Sequence, residues 1–347
     1  MSIAPLPADR HGRPLGVLRL SLTGRCNLAC PYCCPDDADP PDLLTLEQQV
    51  RLIRVGCGLG IHTLRLTGGE PLLSRRLLPL LQRVTEGRAT PAHPLQGLRD
   101  IALTTNGVLL TEARASALWA AGLDRITISL DAVDGPLAAR MAGLRGGAEA
   151  GTRLVQQVLA GLEAARAAGF DPRSGALKLN AVIQRGVNDD QLLPLVELAR
   201  QRRVELRLIE YMDVGNRNGW GPEQVVPAAE MIQRIHAHWP LEALGRGIGG
   251  TARRWRFSDG HGAVAVIASI SEPFCGDCNR LRVTADGQAF TCLFAATGVD
   301  LRPHLQDEHR LRQRLVALWH DRHDRYSEQR AETPPDRPHA EMAYLGG

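Results

Sequence analysis

Six short apolar runs recur along the first two thirds of the chain: VLRLSL (17–22), TLRLTG (63–68), IALTTN (101–106), ITISLD (126–131), LKLNAVI (177–183) and LRLIEY (206–211). Between them lie helix-length stretches such as LTLEQQVRLIRVGCGLG, EARASALWAAGL, GTRLVQQVLAGLEAARAAG and DDQLLPLVELARQRR. Strands alternating with helices predict βαβ units and a parallel sheet. No glycine-rich dinucleotide fingerprint follows the first strand, so a barrel is favoured over a doubly wound sheet. Six units fall short of the eight of a closed barrel. The predicted fold class is therefore α/β, an open, six-stranded, partial TIM-type barrel. From about residue 226 the pattern changes to a helix (AAEMIQRIHAHW), a Gly/Arg-rich stretch (GRGIGGTARRWRF) and short strands around VAVIAS, RLRVTA and QAFTCLF. This predicts a barrel domain over 1–225 and a smaller α+β domain over 226–347. The segments 87–98 and 143–151 read as loops. The second lacks the Gly-Lys-Ser/Thr ending of a phosphate-binding P-loop.

Side chains alternate between the two faces of a strand. One face is aliphatic throughout, for example Leu18, Leu20 and Leu22 in the first strand and Leu177 and Leu179 in the fifth. The other carries Arg19, Arg65, Thr104, Ser129, Lys178, Asn180 and Arg207. The aliphatic face must meet the surrounding helices, so the polar, cationic face lines the lumen. Most barrels fill that space with Val, Ile and Leu. Buried cations without partners cost several kcal/mol each, so the set predicts a bound polyanion. The competing reading pairs them with Glu70, Asp131 or Glu210 at the strand ends.

The bulk numbers narrow the class. A net charge of +3 over 347 residues argues against a dedicated nucleic-acid binder. The N-terminus has no signal-peptide core, and no run reaches the roughly 18 apolar residues of a membrane span. A cytoplasmic location is expected. There the eight cysteines point to metal binding or catalysis rather than disulfides. Lys178 is the only lysine among 41 basic residues, which marks it for attention.

Active sites of such barrels sit at the C-terminal ends of the strands. After the first strand stand Cys26, Cys30 and Cys33, spaced C-x3-C-x2-C, and after the second stands TGGEP (67–71). A structural zinc site wants four ligands. Three thiolates suit an iron–sulfur cluster with one iron left open. Cys275, Cys278 and Cys292 repeat the theme as C-x2-C-x13-C. They read as a second cluster or as a zinc site completed by His261 or Cys57. Arg280 and Arg282 alternate between these cysteines as forks suited to phosphate.

The pair C-x3-C-x2-C and G-G-E-P resembles the radical S-adenosylmethionine (SAM) enzymes. Further stretches resemble the GTP 3′,8-cyclases of molybdenum cofactor biosynthesis nearly end to end: DRHGRPL…LRLSLTGRCNLACPYC, LRLTGGEPLL, LTTNG, ISLDA, KLNAVIQRGVNDDQ, RLIEYMDVGNRNGW, FCGDCNRLRVTADG, CLFA and the terminal AYLGG. The resemblance implies two [4Fe–4S] clusters. The first, on Cys26, Cys30 and Cys33, would bind and cleave SAM. The second, on Cys275, Cys278 and Cys292, would bind the guanine of GTP. It implies SAM contacts from Tyr32, Gly69, Ser129 and Met212, and GTP contacts from Arg19, Arg65, Thr104, Lys178, Arg280 and Arg282. Arg19 and the tail residues Gly346 and Gly347 would act in catalysis, although physics alone reads the tail as a frayed terminus. A 5′-deoxyadenosyl radical would take the 3′ hydrogen of GTP and the C3′ radical would add to C8. An external electron donor, a downstream cyclic pyranopterin monophosphate synthase and a homodimer are implied; no nucleic acid or membrane is. Two alternatives stand beside this: a radical SAM peptide maturase, and a non-enzymatic iron–sulfur or zinc protein. Cys34 departs from the family, which usually carries methionine there, and reads with Cys57 as a small apolar residue.

Overall fold

The computed structural model describes residues 6–36, 38–332 and 338–346. The six expected strands form β1 (Val17–Ser21), β2 (Thr63–Thr67), β3 (Asp100–Thr105), β4 (Arg125–Ser129), β5 (Leu177–Ile183) and β6 (Glu205–Glu210), each parallel to the next. The sheet does not stop at six. Among the described residues it continues with β7 (Leu241–Gly245), β8 (Arg253–Phe257), β9 (Ala263–Ile267), β10 (Arg280–Val283), β11 (Gln288–Phe290) and β12 (Val299–Asp300). Its order is β12-β11-β10-β1-β2-β3-β4-β5-β6-β9-β8-β7, an open sheet. β10 pairs parallel with β1, and β9 parallel with β6. The strands beyond residue 226 thus extend the barrel sheet at both edges instead of forming a sheet of their own. The local pattern shows each of these strands but not where they join the barrel, since Arg280 pairs with Val17 and Val264 with Leu206, far from each other in the chain.

The helices are α1 (Leu46–Cys57), α2 (Leu77–Ala89), α3 (Glu112–Ala120), α4 (Gly135–Met141), α5 (Gly147–Ala168), α6 (Leu192–Gln201), α7 (Ala228–His236), α8 (Glu308–His320) and α9 (Met342–Leu345). The aliphatic strand face packs beneath them as expected. Leu18, Leu20, Leu64, Leu66, Ile101, Leu103, Ile126, Ile128, Leu177, Leu179, Leu206 and Leu208 are each at most 1% exposed. At roughly 1.5–3 kcal/mol per buried side chain, this layer dominates the stability of the barrel. α1 opens on a capping box, in which Thr45 Oγ1 accepts from Gln48 N and Gln48 Oε1 accepts from Thr45 N.

Both expected loops are partly regular. α2 runs to Ala89, and Pro94–Gly97 is a single 3-10 turn. α5 starts at Gly147, so the second loop ends at Gly146. Glycine in this stretch serves packing: a Cβ at Gly151 would lie 1.7 Å from Gly135 O, so α4 and α5 touch backbone to backbone there. No helix among the described residues is long and apolar enough to cross a membrane.

Candidate active site

The lumen is cationic, as strand alternation predicts. Arg282, Arg19 and Arg65 stand in one row because β10, β1 and β2 are paired in that register. Like charges directly opposite each other on neighbouring strands are destabilising. Burial pushes the Arg19 guanidinium well below its ordinary pKa, and Arg282, Arg65 and Arg280 push it further. Burial and neighbouring arginines pull Arg65 down to about 9 and Arg282 to about 10. Arg65 Nη2 donates to Thr104 Oγ1 at 3.2 Å. Arg65 Nε and Arg282 Nη1 are buried with no hydrogen-bond acceptor. Such a row raises the energy of the empty fold and matches a polyanion. Arg19, Arg65, Thr104, Arg207, Arg280 and Arg282 line one cavity.

Lys178 is placed differently from that expectation. It does not line the cavity. Its Nζ donates to Glu205 Oε1 at 2.9 Å, and the same carboxylate takes Arg207 Nε at 2.9 Å and Arg254 Nη2 at 2.8 Å. The three carboxylates considered from the sequence serve elsewhere. Glu70 caps Leu72 N and accepts from Thr105 Oγ1 and Asn106 N. Asp131 accepts from Tyr32 OH and Val182 N. Glu210 takes the N–H groups of Ala228, Ile270 and Ser271. Glu205 stands one residue before the apolar run LRLIEY, on the same face as Arg207, and extending the alternation by one position would have found it.

The loop after β1 carries the first cysteines. Two backbone contacts hold it where no Cβ fits. Gly69 lies so close to the loop that a Cβ would meet Arg25 O at 2.2 Å, and at Gly143, with φ +63°, one would meet Ala29 O at 2.0 Å. Glu70 N donates to Arg25 O and Ala29 N to Ala142 O, fixing the loop between the GGEP turn and the end of α4. The three thiols converge. Burial raises Cys30, with Asp131, Cys33 and Cys26 adding to it, and burial followed by Cys26 pushes Cys33 up to about 12. Cys34 turns away: its backbone is left-handed (φ +48°) and its Sγ faces Pro31 O at 3.0 Å.

The second set sits in the opposite field. Burial alone would raise the Cys278 thiol, but Arg280 and Arg322 draw it down to about 7. Arg322 Nη2 donates to Cys278 Sγ at 3.1 Å. Cys292 is pushed up to about 12 by burial and Asp324, with Cys278 and Cys275 contributing. Cys275, Cys278 and Cys292 all open onto the arginine-lined cavity, whereas Cys57 and His261 do not. No three Cys, His, Asp or Glu side chains among the described residues close on a single ion. A zinc ion gathers its thiolates at about 2.3 Å, and neither trio is drawn together in that way.

The proposed SAM contacts divide. Tyr32 and Ser129 line one small pocket with Cys30 and Asp131. Gly69 sits at the neck of the cysteine loop, while Met212 lines the arginine cavity. The described tail is seated as far as Gly346. Gly346 is buried and left-handed (φ +72°), its carbonyl accepts from Arg19 Nη2 at 3.0 Å, and a Cβ there would meet Thr67 Oγ1 at 2.2 Å. Glu341 anchors this tail by accepting from Asn216 N and pairing with Arg217. Gly347 lies outside the described residues.

A barrel sheet of this kind, with a three-cysteine loop after β1 and a GGEP turn after β2, defines a radical SAM enzyme. Residues 20–199 match the radical SAM superfamily model, and residues 204–328 match the model for Molybdenum Cofactor Synthesis C. The chain is 68% identical to a GTP 3′,8-cyclase of Synechococcus sp. (strain WH7803) over 100% of both chains. It is 48% identical to that of Xanthomonas campestris pv. campestris (strain B100), over 100% of this chain and 99% of the relative. The chain belongs to the GTP 3′,8-cyclase family. Among solved structures, SuiB of Streptococcus suis bound to S-adenosylmethionine superposes with TM-score 0.61 at 14% identity, over 89% of this chain and 66% of SuiB. Native anSMEcpe with bound AdoMet and Cp18Cys peptide gives 0.55 at 14% identity, over 90% and 84%. At that identity these likenesses describe the fold alone.

Proposed function

We propose that the chain converts GTP to 3′,8-cyclo-7,8-dihydro-GTP, the first step of molybdenum cofactor biosynthesis. The hydrogen on C3′ is removed, C3′ bonds to C8 of guanine, and one electron and one proton complete the ring, so the product is an isomer of GTP. The observation that carries the reading is the Arg282–Arg19–Arg65 row, which faces the cavity that also opens on Cys275, Cys278 and Cys292.

Cys26, Cys30 and Cys33 would hold a first cluster, and such a group would supply the one-electron reducing chemistry that SAM cleavage needs. Cys275, Cys278 and Cys292 would hold a second cluster, which would supply a binding site for the guanine. Arg19, Arg65, Arg280 and Arg282 fix the triphosphate, with Thr104 orienting Arg65. Fixing both partners in this way removes much of the entropic barrier. Lys178 acts from behind the cavity through Glu205. Tyr32, Ser129 and Gly69 seat SAM, and Met212 lies at its border with GTP. Gly346 lies beside Arg19, and Gly346 and Gly347 would act in catalysis with it. In this reading the enzyme is a cytoplasmic homodimer that takes electrons from an external donor and passes its product to a cyclic pyranopterin monophosphate synthase. Anaerobic turnover with GTP, SAM and a reductant tests it. Equal formation of 5′-deoxyadenosine and a pterin-yielding product is expected; 5′-deoxyadenosine formation indifferent to GTP, with no pterin, would refute it.

A further inference from the structure

The N-terminal stretch DRHGRPL (9–15) has no role in the reaction as described. Yet it supplies two of three charged side chains that are almost fully buried together: Asp9, Arg13 and Arg322, at 0%, 2% and 2% side-chain exposure. Asp9 Oδ2 accepts from Arg13 Nε at 2.5 Å and from Arg322 Nη1 at 3.2 Å. Asp9 Oδ1 accepts the backbone N–H groups of His11 and Arg13, each at 2.9 Å. Both arginines then reach the second cysteine set. Arg13 Nη1 donates to Cys275 O at 2.7 Å. Arg322 Nη1 donates to Cys278 O at 2.6 Å, and Nη2 to Cys278 Sγ at 3.1 Å. Trp319 closes the cluster: its indole N–H donates to Arg13 O at 2.9 Å, and its ring lies 4.6 Å from the Arg322 guanidinium carbon.

Burying one carboxylate with two guanidinium groups costs stability unless the remaining donors are used. Here several are used on the backbone and sulfur of two cysteines and on Asp324 O, while Arg13 Nη2 and Arg322 Nε are buried without a hydrogen-bond acceptor, and Arg322 Nε lies 3.5 Å from Asp324 Oδ2. A hydrogen bond to a ligating sulfur and a positive charge beside it both favour the reduced form of an iron–sulfur group, and so raise its potential. We infer that Asp9, Arg13 and Arg322 form a clamp, present before any cluster is bound, that holds residues 275–278 in ligating form. Arg322, through Cys278, sets the potential of the second centre. The three are positioning residues, and the inference rests on the two-cluster reading above.

The test compares Arg322→Gln, Arg322→Lys and Asp9→Asn with the parent after anaerobic reconstitution. Iron is counted and the potential of each centre is measured by spectroscopic redox titration without GTP. Two four-iron centres require about eight irons per chain. The second centre of Arg322→Gln is expected to titrate at more negative potential, with the first unchanged. Arg322→Lys should recover part of that shift, and Asp9→Asn should lower occupancy of the second centre alone. A merely structural role would not move one potential selectively. If Arg322→Gln does not fold, Arg322→Lys is read against the parent, with a smaller shift in the same direction expected. Variants that match the parent in iron and in both potentials overturn the clamp. A parent with about four irons overturns the two-cluster reading first, and the clamp with it.

Discussion

The two cysteine trios use the same residue type in the same number, but the protein surrounds them differently. Around Cys26, Cys30 and Cys33 the near charges are acidic, Asp131 and Glu70, and the adjoining pocket is lined by Leu28, Tyr32, Ala132 and Met141. Around Cys275, Cys278 and Cys292 stand Arg280, Arg282 and Arg322. Thiols of the first trio are raised; in the second, Cys278 is lowered by its arginines, while Cys292 is raised by burial and Asp324. Under the proposed function, charge would sort two ligands that must meet in one barrel: a sulfonium-bearing amino acid with an adenine at one end, and a triphosphate at the other. Three cysteines alone say little about which ligand a trio serves; the side chains around them tune it.

The largest effect that would break this comparison is on chemistry. Cys30→Ala should abolish 5′-deoxyadenosine formation. Cys278→Ala should keep some of it, uncoupled, while losing the cyclised product. Equal loss of both activities in both variants would mean that the trios do not divide the work.

Next comes the carboxylate that balances the lumen. Burial alone would raise Glu205, but Lys178 and Arg207 hold it down to about 2. A carboxylate depressed in the folded state contributes stability above its unfolded pKa of about 4.3, and that contribution is lost as pH falls toward 2. Glu205→Gln leaves three cations facing each other and should cost roughly 3–5 kcal/mol at pH 7. Denaturant unfolding across pH 2–7 should show a shallower acid limb in the variant. Parallel curves would remove Glu205 from its place as counter-ion.

The arginine row is expected to behave in the opposite sense. Arg282→Leu should weaken GTP binding by roughly 10- to 150-fold, the worth of a charge-assisted hydrogen bond of about 1.5–3 kcal/mol. The same variant should leave the melting temperature of the ligand-free protein unchanged or higher, because it relieves repulsion. A lower melting temperature with unchanged GTP affinity would make the row structural. The smallest effect belongs to Cys34. Its left-handed backbone strains any side chain alike, so Cys34→Met should keep iron content and turnover within about twofold, since surface changes of this kind stay near 0.5 kcal/mol.

Much of this was legible in the chain. Strand alternation alone separated the aliphatic face from Arg19, Arg65 and Arg207, because the pleat enforces a period of two. Cys26, Cys30 and Cys33 were legible because their spacing is local. The pairing of β10 with β1 and β9 with β6 was not, since register between strands distant in the chain leaves no local trace. The same holds for Arg322, whose reach to Cys278 depends on where α8 ends. Gly346 marks the limit most clearly: local physics reads a loose terminus, whereas the fold seats it against Thr67 and Arg19. α8 was missed for a smaller reason. Its Leu311, Leu315 and Trp319 recur every four residues amid charge and were there to be counted.

The account's central claim is that the two fields hold GTP with its ribose C3′ hydrogen facing the SAM end of the barrel. Anaerobic turnover of GTP deuterated at C3′ tests this most directly. The account predicts that the deuterium appears in 5′-deoxyadenosine and is missing from the cyclised product; 5′-deoxyadenosine free of deuterium, with the label retained in the product, would contradict it.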